Sequence, residues 1–433
     1  MPSVLRALPI PLDAPLSPGL HATLAAYRLL VNELLREAAN SGLTSRGALS
    51  RSARTWALRN GLTGTHAVTA SGIALSLLRA HRKRLRRGFT SKLPHVRSAF
   101  LRVDDQSFHL DPTLGRVRVS LRYGVWDSFA LRLSGYHRSV LATPGLCLKQ
   151  IHLTADRAVL FYEKPAPDEY RPTSLMGLDT NERSLDGVVV TPTGTRAATV
   201  PFPDIAAVQR RHVDRRRRIA RKKAHDRRVG RRLLNREGRR ERHRVVSRLH
   251  VLSKHLVEVA QRHRAALALE DFTKLARRVR PRRGSARRLP SGAPRSRSLR
   301  RRLSSWPRGE LHRQLAYKAA ERGVPIIWVD PYRTSVTCPR CGAYGGPRSR
   351  MGPMFDCPGC GWRLDRQLNA GANVGRIALR ETAELGGLKL DLDALAEDAM
   401  RPRYPFQEVG RARAERTVRE GTATEGRHRP LSN

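Results

Sequence analysis

Four cysteines stand in two pairs, Cys338-Pro-Arg-Cys341 and Cys357-Pro-Gly-Cys360, with 15 residues between the pairs. Each Cys-x-x-Cys knuckle aims two sulfurs inward, and a spacer of this length lets the second knuckle fold back to complete a tetrahedron of thiolates, the pattern of a structural zinc ribbon. Two disulfides would be the rival use of four cysteines. The absence of a secretory leader and the single remaining cysteine, Cys147, instead suggest a reduced, cytoplasmic setting. Since thiolates fill all four places, zinc here holds structure and leaves no open position for chemistry. Hydrolytic chemistry is better sought among acids, and three are placed for it. Asp179 ends an apolar strand, Glu270 ends another, and Asp365 opens a helix just after the ribbon. Carboxylates converging from separated segments could hold two magnesium ions about 3.5–4 Å apart, one activating water and the other stabilising the leaving oxygen of a phosphodiester. Hard oxygen ligands suit magnesium and leave the soft thiolates to zinc. Clustered without metal, such acids would raise one another's pKa values and titrate as a unit. Taken singly, each is also an ordinary turn or cap residue.

Composition says why acids need explaining at all. The chain has 433 residues, a formal net charge of +46 and a sequence pI near 11.6. An excess of this size calls for a polyanionic partner, with nucleic acid as the first candidate. A membrane surface is disfavoured: no apolar run reaches the roughly 18 residues of a spanning helix, and Arg6, Pro9, Pro11, Asp13 and Pro15 interrupt the start of the chain. Only 5% of residues are aromatic, which argues against a single-strand binder built on base stacking.

The elements that must carry these residues follow from hydrophobic periodicity. Helices are expected over His21–Asn40, Ala48–Arg59 and Thr65–Arg87, the last ending in a basic run. After Pro94 the texture alternates, predicting strands over Phe100–Val103, Gly115–Tyr123, Ser128–Leu133, Gln150–Leu153 and Val159–Lys164 in a small antiparallel barrel or sandwich, with Cys147 as one of its small buried hydrophobes. Lys164–Asp168 reads as a linker. A three-strand meander follows: Leu175–Asp179, Gly187–Val190 and Thr195–Pro201. Next come 19 Lys and Arg between Arg210 and Arg248 against four acids. The apolar stripe Val245, Leu249, Leu252, Leu256 and Val259 in its second half predicts one long helix with the rest of its surface cationic. The candidate phosphate contacts are Arg215, Arg216, Arg217, Arg218, Arg221, Lys222, Lys223, Arg227, Arg228, Arg231 and Arg232. A strand Ala265–Glu270, a mobile basic loop Lys274–Arg302, a helix Trp306–Arg322 and a strand Val324–Asp330 precede the ribbon. Past Glu381 periodicity fades into an adaptable tail, although Leu388–Met400 could make one more helix.

This order, meander, helix, strand, helix, strand, helix, is that of a ribonuclease H-like fold. The chain resembles the transposon-encoded TnpB or OrfB proteins, RNA-guided nucleases related to type V CRISPR effectors. The landmarks are Gly177-Leu178-Asp179, Leu267-Ala268-Leu269-Glu270-Asp271 and Asp365-Arg366-Gln367-Leu368-Asn369-Ala370 as the three motifs of a RuvC-like nuclease. Tyr332-Arg333-Thr334-Ser335-Val336-Thr337-Cys338 resembles the family's lead-in to its inserted ribbon. The resemblance covers roughly residues 174–376. It implies an α/β RuvC-like domain with an inserted zinc ribbon, preceded by an N-terminal α+β part, a helical bundle with a small antiparallel β-barrel. The corresponding divisions are 1–165 for nucleic-acid recognition, 166–333 for the nuclease core, 334–362 for the ribbon, 363–380 for the last core helix and 381–433 for a variable tail. It further implies a guide RNA from the transposon end, a double-stranded DNA target, and one magnesium-dependent site formed by Asp179, Glu270 and Asp365. Base pairing then reads the sequence and the protein grips the duplex backbone. Alternative readings are a guide-bound protein that no longer cuts, and a general nucleic-acid binder.

Two departures from the family pattern stand out. Many relatives carry an acid at the place of Gln367, and residues two apart on a helix point about 200° away from each other. Asp365 can therefore serve only if the helix starts after it. The first motif continues Asp179-Thr180-Asn181-Glu182 where Asp-Leu-Gly is commoner, which leaves Glu182 as a spare acid.

Overall fold

The structure, a computed structural model, describes residues 3–90, 92–181, 184–202, 204–271, 307–345 and 352–400. The basic loop expected at 274–302 and Glu182 lie outside these residues. The described residues fall into two compact units that meet in sequence at Ala166 and Pro167.

In the first unit, helices α1 (Pro18–Asn40), α2 (Arg46–Arg59) and α3 (Gly64–Arg86) start at the side-chain caps Ser17, Ser45 and Thr63. Capping oxygens satisfy otherwise orphaned N–H groups of the first turn, so these hydroxyl residues fix where each helix begins. Two antiparallel sheets share the core with the helices. One has the order β1 (Ser3–Pro11), β7 (Arg157–Pro165), β6 (Cys147–Leu153) and β2 (Leu101–Asp104). The other joins β3 (Phe108–Asp111), β4 (Arg116–Arg122) and β5 (Val125–Ala130). Strand β1 is a correction to the sequence reading, in which Arg6, Pro9 and Pro11 break up the start. It pairs only with β7, and an edge strand tolerates prolines on its unpaired side. Helix α4 (Gly135–Leu141) is likewise additional. Cys147 is exposed, not buried, because it opens β6 at the end of the sheet.

The second unit is built on a mixed sheet of order β10 (Gly194–Pro201), β9 (Ser184–Thr191), β8 (Ser174–Thr180), β11 (Ala265–Glu270) and β12 (Ile326–Val329). The first three form the antiparallel meander, and β11 and β12 run parallel to β8. Alternation along the strands separates two cores. Met176, Leu178, Leu267 and Leu269 face helices α5 (Ile205–Lys222), α6 (Arg227–Arg262) and α7 (Arg308–Ala320). Leu175, Val188, Ala266 and Ala268 face helix α8 (Arg366–Glu381) and the ribbon. The arginine-dense stretch is two helices and not one. The chain breaks at Lys223–Asp226, and Asp226 caps α6 with its side chain on the Val229 N–H. Helix α9 (Leu392–Met400) packs on β10, where Asp398 accepts from the Ala197 N–H at 2.8 Å.

Helix α8 touches the sheet backbone to backbone through glycines. A Cβ at Gly371 would lie 2.2 Å from Gly187 Cα, and one at Gly177 would lie 2.6 Å from Gly375 Cα. Because neither partner is a side chain that can swing away, Gly371→Ala should cost at least the about 1–3 kcal/mol of overpacking and lower the midpoint of thermal unfolding by several degrees. An unchanged midpoint would show that the helix is not seated this closely.

Candidate active site and zinc centre

The strand register places the acids. Leu269 of β11 is level with Leu178 of β8, so Glu270 falls beside Asp179 at the carboxyl edge of two parallel neighbours. Asp179 follows Gly177 on the face turned to α8, as Glu270 follows Ala268. The two carboxyl groups are near enough to interact strongly, and each shifts the other's titration. Burial first, then the charge of Glu270, pushes the Asp179 carboxyl well above its ordinary range. Burial also raises Glu270, although the Thr334 hydroxyl, donating to Glu270 Oε1 at 2.6 Å, works in the other direction. A pair of acids that resists ionisation is one whose charge would be stabilised by a cation.

A third acid joins this row from an unexpected direction. Asp186 of β9 is paired directly across from Asp179. It is buried and takes hydrogen bonds from the Thr199 hydroxyl at 2.8 Å, from Asn181 Nδ2 at 2.8 Å and from the Ser184 hydroxyl. Its charge adds to the upward push on Asp179. The sequence signal for Asp186 was the short turn after Asp179, which puts an acid on the return strand within pairing distance.

Asp365 stands apart from these residues. It ends β14 (Arg363–Asp365) with extended ψ and is the N-cap of α8, its Oδ1 accepting from the N–H groups of Gln367 at 2.8 Å and Leu368 at 3.2 Å. The helix thus starts after Asp365, as a role in place of residue 367 requires. The glycine contacts show that α8 runs antiparallel to β8, Gly375 against Gly177 and Gly371 against Gly187, the partner of Leu178. Six residues further towards its start, about 9 Å at 1.5 Å per residue, the helix passes the carboxyl edge on which Asp179 and Glu270 lie. Asp365 lies at the start of that helix and does not form a tight cluster with the other two. Among the described residues the four cysteines are the one set of three or more His, Cys, Asp and Glu whose ligand atoms all lie within 4.8 Å of one another.

Those cysteines come together as their spacing predicts. Cys338 and Cys360 sulfurs are 3.6 Å apart and those of Cys341 and Cys357 are 3.4 Å apart. Four sulfurs at about 2.3 Å from one tetrahedral ion would be separated by about 3.8 Å, so this set fits zinc in both chemistry and size. Strand β13 (Met354–Asp356), within the ribbon, pairs with β14, which carries the chain from the ribbon into α8. Asn373 Nδ2 of that helix donates to the carbonyls of Thr334 and Thr337, and Asn369 Nδ2 also to Thr337. One network therefore ties α8, the entry of the ribbon and, through Thr334, Glu270. Thr334 and Asn369 were visible only as members of motifs and Asn373 not at all, because their work is to bridge segments far apart in sequence.

The arginine hairpin is pinned by one buried and one half-buried acid. His212 Nδ1 meets Glu237 Oε1 at 2.7 Å between α5 and α6, and Arg216 turns in to Glu241. Arg215 lies 3.7 Å from Glu237, and Arg217 pairs with Asp214. The other eight predicted phosphate contacts, from Arg218 to Arg232, are exposed and make no ion pair among the described residues. Charge that is spread over a helix surface without acid partners is free to meet a polyanion.

Comparison with known proteins agrees with this architecture. Residues 309–374 match the family model described as "Cas12f1-like, TNB domain". The TnpB-like protein MJ0751 of Methanocaldococcus jannaschii is 26% identical over 203 residues, 46% of this chain and 67% of that protein. The CRISPR-associated endodeoxyribonuclease Cas12f1 of Sulfoacidibacillus thermotolerans is 32% identical over 72 residues, 17% of each chain. In three dimensions the chain resembles Cas12f1 from a cryo-EM structure of a Cas12f1-sgRNA-target DNA complex, with a TM-score of 0.58 at 12% identity over 86% of this chain and 99% of that one. It also resembles the mini-RNA-guided endonuclease Cas_phi3, with a TM-score of 0.50 at 11% identity over 87% and 92%. The fold is the one shared with these Cas12 structures. In sequence the chain is similar, over part of its length, to TnpB-like and Cas12f1 proteins.

Without added magnesium, Asp179→Asn should unfold at a higher temperature than the wild type at pH 8, and the gap should close on acidification. A carboxyl whose folded pKa is raised contributes stability below its unfolded pKa and loses it as pH rises through the folded value. Added magnesium should then reverse the order by stabilising the wild type alone. A variant less stable at every pH would contradict the strained acid pair.

Proposed function

We propose that the protein is an RNA-guided DNA endonuclease of an insertion-sequence transposon, hydrolysing phosphodiester bonds at the carboxyl edge of the β8–β11 sheet. The observation that carries this reading is the adjacent, buried pair Asp179 and Glu270 in a chain of +46. Phosphate attracted by the arginines would be repelled by these acids unless a divalent cation bridged them. Their hard oxygens fit magnesium, with Asp365 approaching from α8 as a further ligand. Magnesium bound there would supply Lewis-acid stabilisation of charge at the scissile phosphate. Asp179 and Glu270 would hold it, Asp186, hydrogen-bonded across from Asp179, would stand beside them, and Thr334 would orient Glu270.

The cysteine cluster would hold zinc and fix the path from ribbon to α8. The N-terminal unit, helices α1, α2 and α3 with two antiparallel sheets, would read the flanking DNA and contact the guide, while the arginine hairpin would grip the guide–target duplex by its phosphates. Purification with the co-expressed RNA, followed by incubation with a DNA library matching that RNA, tests the assignment. Magnesium-dependent cuts beside a fixed flanking motif support it. Guide-dependent binding without cuts, restored to cutting by Gln367→Asp, would instead define a guided binder that has lost its chemistry.

A further inference from the structure

The opposite edge of the same sheet holds a cavity of about 370 Å³ where β8 and β11 begin and the β9–β10 turn closes. It is some five residues along the strand from Asp179, about 17 Å at 3.3 Å per residue, and so is separate from the carboxylates. Its apolar wall comes from Met176, Val189 and Val259. Its polar lining includes Arg196, Arg262 and His263, and no acid lines it. A volume in this range suits a small organic group, and an apolar slot with a few convergent polar groups is the usual form of a ligand site.

The lining selects the occupant by chemistry. Two guanidiniums without a carboxylate favour an anion over a cation, even with His255 and His263 in the lining. Bare phosphate would gain nothing from the apolar wall, whereas a flat base would fill it and leave its phosphate at the arginines. We propose that this cavity binds one unpaired nucleotide of the nucleic-acid partner, with the base against Met176 and Val259 and the phosphate at Arg196 and Arg262. The site uses the nucleic-acid partner proposed above, but it requires neither the carboxylates nor cleavage.

The chain contains five methionines, so methyl-13C-methionine NMR of the full-length protein reports on Met176 directly. Without added magnesium, so that the acid pair holds no metal, AMP should move the Met176 methyl resonance saturably, while inorganic phosphate should move it at least about tenfold more weakly. Arg196→Gln with Arg262→Gln should weaken AMP about tenfold or more, the loss of a charge-assisted contact, while leaving the unliganded spectrum in place. A stronger response to AMP than to dAMP assigns the occupant to RNA, and parity or the reverse assigns it to DNA. No movement at millimolar AMP, or equal binding by the double variant, would overturn the site. A protein that failed to cut DNA would still give the predicted response, so the two readings fail separately.

Discussion

Asp179→Asn and Glu270→Gln are each expected to reduce magnesium-dependent cleavage by about a thousandfold or more, with guide RNA still bound. Each swap keeps the shape and removes the charge. A metal ion contributes several kcal/mol of transition-state stabilisation, and each 1.36 kcal/mol is tenfold in rate. Both side chains lie at the ends of neighbouring parallel strands, far in sequence from the arginine hairpin, so RNA affinity should change little. Because Asp179 and Glu270 act as one unit, the double variant should be no worse than either single one. Asp365→Asn should fall between these and the wild type if its ligand role is weaker, but it also removes charge from the N-cap of α8, so its thermal midpoint must be read alongside. Measured single-turnover rates within tenfold of the wild type for Asp179→Asn would refute the site.

The second large effect concerns the ribbon. Purified protein should contain one zinc per chain, and Cys357→Ser should lose it. Zinc binding of this kind carries about 10–16 kcal/mol of folding free energy, so the consequence should be unfolding of the ribbon and not a small shift. The damage should spread. Phe355 and Trp362 pack in the core that α8 shares, and the Asn373–Thr334–Glu270 network begins at the ribbon's entry. Removing zinc with a chelator should therefore abolish cleavage and raise hydrogen exchange at both 352–365 and the first turns of α8, leaving the first unit protected. Full activity in protein shown to be free of zinc would mean that the cysteines are not a structural centre.

The parts of this architecture that could be read from the sequence were those with local causes. Cys-x-x-Cys knuckles announce themselves by spacing, and the meander does so by short apolar runs separated by turns. Asp179 and Glu270 stood out because each ends an apolar strand in a basic chain. What escaped was fixed by long-range pairing. Strand β1 is recognisable as a strand only beside β7, since Pro9 and Pro11 read as breakers until the edge is known. Asp186 looks like a turn residue until the register sets it across from Asp179. The break between α5 and α6 is written in Asp226, an N-cap hidden among arginines, and the His212–Glu237 contact that folds the hairpin joins residues 25 positions apart. The glycines at 177, 187, 371 and 375 likewise acquire their meaning only when helix and sheet meet.

The claim on which all else depends is that a bound RNA chooses which DNA is cut. The measurement is to exchange the target-pairing segment of the co-purified RNA for an unrelated sequence, keep the protein unchanged, and sequence the ends produced from a DNA pool in magnesium. Cuts should move to the new complement, beside the same flanking motif, and vanish with Asp179→Asn. Cuts that stay at the original sites, or fall equally on all DNA, would contradict RNA guidance.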